Sequence, residues 1–165
     1  MGHEYTPFSG LSKPVAANSI SCISPSKTFN VAALHAATLI MPDEAIRERV
    51  SRAINNDELA EPNSFAIPGS LAAYQEGQAW VAELREKIAA NQRQLQAFIQ
   101  ANLPQVKVIE AQATYLIWLD ISAVAADADE LATFIRSETG LFLSAGDVYR
   151  GNGKHFLRIN VACPT

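Results

Sequence analysis

Cysteine is scarce in this 165-residue sequence, and Cys22 and Cys163 stand far apart, with no CxxC pair and no metal-ligand spacing to His3, His35 or His155. That excludes a disulfide framework and a zinc site, and predicts two reduced, partly buried thiols. The three histidines offer no Ser-His-Asp or Cys-His arrangement. A basic block is missing as well: with a formal net charge of −4 at pH 7, nothing follows a phosphate backbone, and nucleic acid is excluded as a partner. No apolar run approaches the roughly 20 residues that cross a bilayer; the longest, "VAALHAATLIM", is interrupted by His35. The opening "MGHEYTPFSG" has neither a basic start nor an apolar signal core, which makes the cytoplasm the expected location. Internal repeats and low-complexity segments are absent too.

What is there is a chain 48% hydrophobic and 18% charged, enough for a packed core in one or two small domains. Pro7, Gly10 and Pro14 predict loop and turn over residues 1–18. A short strand is predicted over 20–23, a small-residue helix in "FNVAALHAA", and a second strand in "TLIM" closed by Pro42. Asp43 is placed to cap a helix through "EAIRERVSRAINN", where Ile46, Val50 and Ile54 bury one face. "ELAEPNSFAIPGS", with two prolines and a glycine, predicts a loop. A long helical region follows, interrupted at Gly77, with Trp80, Leu84, Ile88, Leu95, Phe98 and Ile99 as its packing stripe. From Pro104 onwards "VKVIE", "TYLIWLDI", "DADELATFIRSET", "LFLSAG" and "HFLRINVA" give the order β-β-α-β-β of a small α+β layer domain. The expected fold class is α/β, divided into 1–79 and 80–165.

Two residues stand out chemically. Lys27, in "SPSK", is an amine beside hydroxyls on a turn leaving a strand, suited to forming an imine with an aldehyde cofactor while the hydroxyls hold a phosphate; a solvated loop lysine is the plain alternative. Arg158, in "FLRINV", leaves a strand among apolar neighbours and wants an anion, either a ligand carboxylate gripped bidentately or an internal acid such as Asp120 or Glu110. Tyr115 and Trp118, on opposite faces of "TYLIWLD", are expected in the core. Asn63 in "EPNSF" and Tyr149 in "GDVYRGNG" are polar tips in turn-rich segments, where function concentrates.

"SPSKTFNVAAL" resembles the lysine segment of fold type I pyridoxal-phosphate enzymes, the class I/II aminotransferase superfamily. "PNSFA", "AAYQEGQAW", "ATYLIWLD" and "FLRINVACP" extend the resemblance, in order, to the MalY/PatB branch, the cystathionine β-lyase type of carbon–sulfur lyase. The resemblance implies the carboxy-terminal part of a PLP-dependent transferase fold: the end of the large domain, a long helix and the small domain. It implies pyridoxal 5'-phosphate as cofactor, an amino-acid substrate and a homodimer. Lys27 then holds the cofactor as an imine and moves the Cα proton, Ser24 and Ser26 contact its phosphate, and Arg158 binds the substrate α-carboxylate. Asn63 and Tyr149 fall near that pocket. The implied reaction is β-elimination to thiol, pyruvate and ammonia. The alternatives are transamination and, from another class, a non-catalytic folding or dimerisation module whose lysine is a relict.

The departures from the family pattern also carry expectations. Many aminotransferases have an arginine eight residues after the lysine; His35 stands there, which leans towards the lyase branch and removes one fixed charge from the phosphate site. The family's acid that pairs with the pyridine nitrogen and its ring-stacking aromatic precede the lysine segment, and none of Glu4, Tyr5 or Phe8 matches them. The small domain is expected to lack a closing helix. The chain alone is therefore expected to bind the cofactor weakly and to turn over poorly.

Overall fold

The computed structural model describes residues 4–164. Internal contacts divide them into a unit Glu4–Glu83 and a unit that begins at Leu84.

In the first unit, α1 (Lys13–Ala17) occupies part of the stretch expected to be loop. Pro14 is tolerated because it lies in the first turn, where no intrahelical donor is needed. Strands β1 (Ser21–Ile23) and β2 (Thr38–Ile40) pair antiparallel, Ser21 opposite Ile40 and Ile23 opposite Thr38. The helix expected in "FNVAALHAA" does not form. Residues 26–30 are a turn, and a single 3-10 turn at Ala32–Leu34 ends on His35. Asn30 (φ 56°) and His35 (φ 47°) both adopt left-handed backbone, which an α-helix cannot pass through. Helix α2 (Glu44–Asn56) starts where Asp43 Oδ1 accepts the Ile46 N–H at 2.9 Å, as its sequence predicts.

Helix α3 (Ala66–Glu76) begins inside the segment expected to be loop. Pro68 falls in its first turn, where the missing N–H costs nothing, so the proline read as a breaker is a starter. Helix α3 stops at Gly77 and α4 (Gln78–Asn102) follows directly. A Cβ on Gly77 would sit 2.5 Å from the Phe29 ring, so this glycine opens a seat for that ring. The buried residues of this unit are small, Ala16, Ser19, Pro25 and Ala66, while Leu59, Phe65, Ile67 and Leu71 are exposed.

In the second unit β3 (Lys107–Val108), β4 (Leu116–Asp120), α5 (Ala128–Thr139), β5 (Ser144–Ala145) and β6 (Phe156–Asn160) form the expected β-β-α-β-β layer. The sheet is antiparallel with order β3-β4-β6-β5. Strand alternation sends Ile117, Leu119 and Leu157 into one core with Ile88 of α4 and with Ala128 and Ala132 of α5. Helix α5 is capped by Asp127, whose Oδ1 accepts from the Asp129 and Glu130 N–H groups, and ends on Gly140 at φ 75°. The α4 stripe is narrower than expected. Trp80 and Phe98 are exposed, and Asn91 is buried instead, its Nδ2 donating to the carbonyls of Val161 at 2.8 Å and Cys163 at 2.9 Å. Both cysteines are exposed rather than partly buried. Among the described residues no helix is long and apolar enough to cross a membrane, and no group of three or more His, Cys, Asp or Glu could hold a metal.

Candidate functional site

Lys27 is carried by a turn whose construction begins at the end of β1. Ser24 Oγ donates to the Ala36 carbonyl at 2.7 Å and accepts the Ser26 N–H at 3.1 Å. It also lies 2.6 Å from Ser26 Oγ. With its single proton spent on Ala36, Ser24 must accept there, so the Ser26 hydroxyl is the donor. The turn closes through Phe29 N–H to Pro25 O and Val31 N–H to Ser26 O, both 3.0 Å. The Phe29 ring fixes its far side, edge-on to Tyr74 of α3 at 5.6 Å. Lys27 projects from this scaffold exposed to solvent, with no hydrogen bond or ion pair to a described residue. Ser24 is thus built into the turn, while Ser26 can redirect its hydroxyl to an incoming acceptor. Asn63 is tied into the same unit: its Nδ2 donates to Leu34 O at 2.6 Å and its Oδ1 accepts Phe65 N–H at 3.0 Å. His35 is exposed on the left-handed residue that ends the 3-10 turn.

Arg158 and Tyr149 belong to the other unit. Arg158 lies on the face of β6 opposite the core, cross-strand from Trp118 on one side and Ser144 on the other. Its Nη1 donates to the Tyr149 hydroxyl and its Nη2 to Ser144 Oγ at 3.2 Å. The guanidinium carbon is 5.3 Å from the Tyr149 ring centroid, and that ring stands edge-on to Trp118 at 5.3 Å. The internal salt bridge is not formed. Asp120 instead accepts the Ser122 N–H at 3.0 Å. The Ser122 hydroxyl, then that N–H, hold its carboxyl below the usual carboxylate value, with Lys107 and His155 adding to the effect. Arg158 therefore keeps a full positive charge beside a cleft of about 340 Å³ lined by β5, the Tyr149 loop and α5. Such an arginine can take a carboxylate on its remaining N–H edges.

Trp118, expected in the core, stands on this outer face, while Tyr115 is half-buried against the core as expected. Ser144 went unnoticed in the sequence. Its signal was cross-strand pairing with Arg158, which period-2 alternation cannot supply before the register is known. Gly146 and Gly153 were missed too: they meet back to back, and a Cβ on Gly146 would lie 2.5 Å from the Gly153 carbonyl and 2.9 Å from the Trp118 ring. That close approach seats the Tyr149 loop on Trp118.

Comparison with known proteins gives a consistent picture. The model of the family described as "Aminotransferase class I and II" matches residues 9–165. The chain is 38% identical over 162 residues to cystathionine beta-lyase PatB of Bacillus subtilis (strain 168), covering 98% of this chain and 42% of that protein. It is 30% identical over 142 residues to protein MalY of Escherichia coli (strain K12), covering 86% and 36% respectively. Cystalysin from Treponema denticola, whose crystal structure contains a pyridoxal 5'-phosphate cofactor, superposes with a TM-score of 0.94 at 28% identity, over 99% of this chain and 42% of that one. The chain thus spans about two fifths of the length of the relatives it matches most fully, and the mixed α/β fold expected from its sequence is the fold it has.

Proposed function

The chain belongs to the class I and II aminotransferase family, and on that premise we propose that it carries the cofactor lysine and the carboxylate-binding arginine of a pyridoxal-phosphate-dependent carbon–sulfur β-lyase. The net reaction would take a cystathionine- or cysteine-type amino acid and water to a thiol, pyruvate and ammonia. The observation that carries the reading is Arg158, whose partners among the described residues are two neutral hydroxyls and no carboxylate, leaving a charge that an α-carboxylate would complete. The first unit suits the cofactor by its chemistry: an exposed amine on Lys27, unpartnered among the described residues, and a neighbouring Ser26 hydroxyl that can turn from Ser24 towards a phosphate. When bound, pyridoxal phosphate supplies the electron sink that acidifies the substrate Cα. In this reading Arg158 orients the amino acid by its carboxylate, Tyr149 and Ser144 hold the guanidinium in place, and the Lys27 amine moves the Cα proton. Asn63 keeps the loop before α3 docked on the lysine segment. The exposed Leu59, Phe65, Ile67 and Leu71 support assembly as a homodimer, and the cytoplasm remains the proposed compartment.

The test is cofactor capture. Borohydride reduction of the chain with pyridoxal phosphate should place a phosphopyridoxyl group on the Lys27 peptide and spare Lys13, Lys87, Lys107 and Lys154. Label spread evenly over the lysines, or unchanged labelling of the remaining peptides with full retention at position 27 after competition by phosphate, would overturn the assignment. Product analysis separates the two chemistries: thiol and pyruvate mark elimination, whereas a 2-oxo acid that keeps the side chain marks transamination.

A further inference from the structure

Arg158 is held by two arms of different construction. One comes from the sheet: Ser144 stands opposite it on β5 and accepts from Nη2 at 3.2 Å, its backbone fixed by the strand pairing itself. The other comes from a loop. Tyr149 ends a single 3-10 turn, Asp147–Tyr149, is about half exposed, and accepts from Nη1 with the hydroxyl at the tip of its ring. Holding such a side chain in one rotamer costs entropy, which a contact on the ring has to offset.

Trp118 supplies that contact. It is the cross-strand partner of Arg158 on β4, and its indole meets the Tyr149 ring edge-on, with centroids 5.3 Å apart and planes at 80°. A pair of this kind favours its arrangement by roughly fivefold. The indole is itself buttressed. Phe156, two residues before Arg158 on the same face of β6, meets it edge-on at 6.2 Å, and a Cβ on Gly146 would lie 2.9 Å from Cζ3. Core packing does not account for the placement: Trp118 is half-buried on the sheet face away from Ile117, Leu119 and Leu157. Among the described residues the guanidinium has its ring contact with Tyr149 and none with the indole, so the indole acts on it through the tyrosine.

We propose that Trp118 is a positioning residue: it fixes the Tyr149 ring, and through the Tyr149 hydroxyl it sets the direction in which Arg158 presents its remaining N–H edges to a carboxylate. Ser144 holds the other side of the guanidinium independently of it. This rests on the reading of Arg158 as the α-carboxylate site.

The experiment is a double-mutant cycle on the isotope-labelled full chain, read as the affinity for L-norleucine in a chemical-shift titration, with the Arg158 guanidinium N–H resonances followed in the same samples. Trp118→Leu should weaken L-norleucine about fivefold, the freedom returned to one released side chain. It should also broaden the Arg158 Nη resonances, because a guanidinium that is no longer held rotates. Trp118→Phe keeps an aromatic edge and should fall between Trp118→Leu and wild type; it carries the same cycle if the leucine variant does not fold. In a Tyr149→Phe background the Trp118 substitution should cost nothing further, whereas in a Ser144→Ala background its loss should persist. Wild-type affinity and Nη line shape in the Trp118 variants, or a loss undiminished in the Tyr149→Phe background, overturns the positioning role. If wild type shows no saturable shift, or Arg158→Gln leaves the affinity unchanged, the α-carboxylate reading fails and the positioning role with it.

Discussion

Replacing Gly146 by alanine tests whether the Tyr149 loop is seated as described. The glycine has φ −83° and ψ −14°, which alanine adopts freely, so any cost is steric. The added Cβ would meet the Gly153 carbonyl at 2.5 Å, the Phe156 carbonyl at 2.8 Å and the Trp118 ring at 2.9 Å. Two of the three neighbours are backbone and cannot rotate away. Reaching the 3.4 Å of ordinary contact requires the Gly153 strand of the loop to retreat by roughly 0.9 Å, the difference from 2.5 Å. Overpacking of this kind costs about 2 kcal/mol, which lowers the melting temperature of a domain this size by about 10 °C. The same retreat pulls Tyr149 off Trp118 and away from Arg158, so near-ultraviolet circular dichroism and carboxylate binding should change together. Gly151→Ala is the control: its φ of +61° makes alanine strained, but open space surrounds it. It should lose about 1 kcal/mol through backbone conformation and leave the aromatic signal intact. A Gly146→Ala protein that melts with wild type and keeps its aromatic signal would refute the close packing of the two glycines.

Asn91→Leu removes the donor to two carbonyls. That of Cys163 belongs to an exposed residue and can turn to water, while that of Val161 belongs to a buried one. The variant orphans that acceptor but also removes Asn91 Oδ1, which is buried without a partner among the described residues, so the loss is that of the hydrogen bond itself, about 1 kcal/mol, read in a urea midpoint, and a midpoint equal to wild type would count against it. Asp120→Asn should destabilise slightly at neutral pH and progressively less as the pH falls below 3.8. The folded carboxyl titrates below its unfolded value, so its contribution is present above that value and vanishes as the pH drops through the folded one. Melting curves whose separation grows with acid would contradict that sign.

Much of the second unit was legible because its residues obey single periods. "TYLIWLD" and "FLRINV" alternate cleanly, and in the structure Ile117, Leu119 and Leu157 face the core while Arg158 faces away. What alternation cannot supply is which strands pair. Trp118 was assigned to the core because an aromatic on an apolar strand usually packs there, and only the β4–β6 register places it beside Arg158. The first unit was harder to read because its elements are short and its packing contains few large buried side chains. "FNVAALHAA" has helical spacing, but the Phe29 contact with Tyr74 and the left-handed Asn30 and His35 turn it into loops. Pro68 marked a boundary correctly and its direction wrongly, since a proline ends one helix and starts another by the same missing N–H.

The chemistry of Arg158 depends on its partners being neutral. Had Asp120 reached across to it, the guanidinium would be equally well positioned and its charge cancelled, leaving little to attract a second carboxylate. Hydroxyls separate the two tasks: Tyr149 and Ser144 fix the direction of the group without neutralising it. The same strand supplies the rigidity. Leu157, one residue before Arg158, is almost fully buried, and Asn91 holds the chain just after the strand by two hydrogen bonds. The arginine backbone therefore cannot shift without disturbing the core. Asp120 is held by Ser122, a turn at the end of β4 that keeps the nearest strand carboxylate occupied locally. Ser122→Ala removes the hydroxyl, the largest cause of the lowered Asp120 carboxyl, and keeps the N–H bond, so Asp120 should titrate above its wild-type position while carboxylate binding at Arg158 is unchanged. Ligand affinity that falls in Ser122→Ala would show that the backbone bond alone does not keep this carboxylate from the arginine.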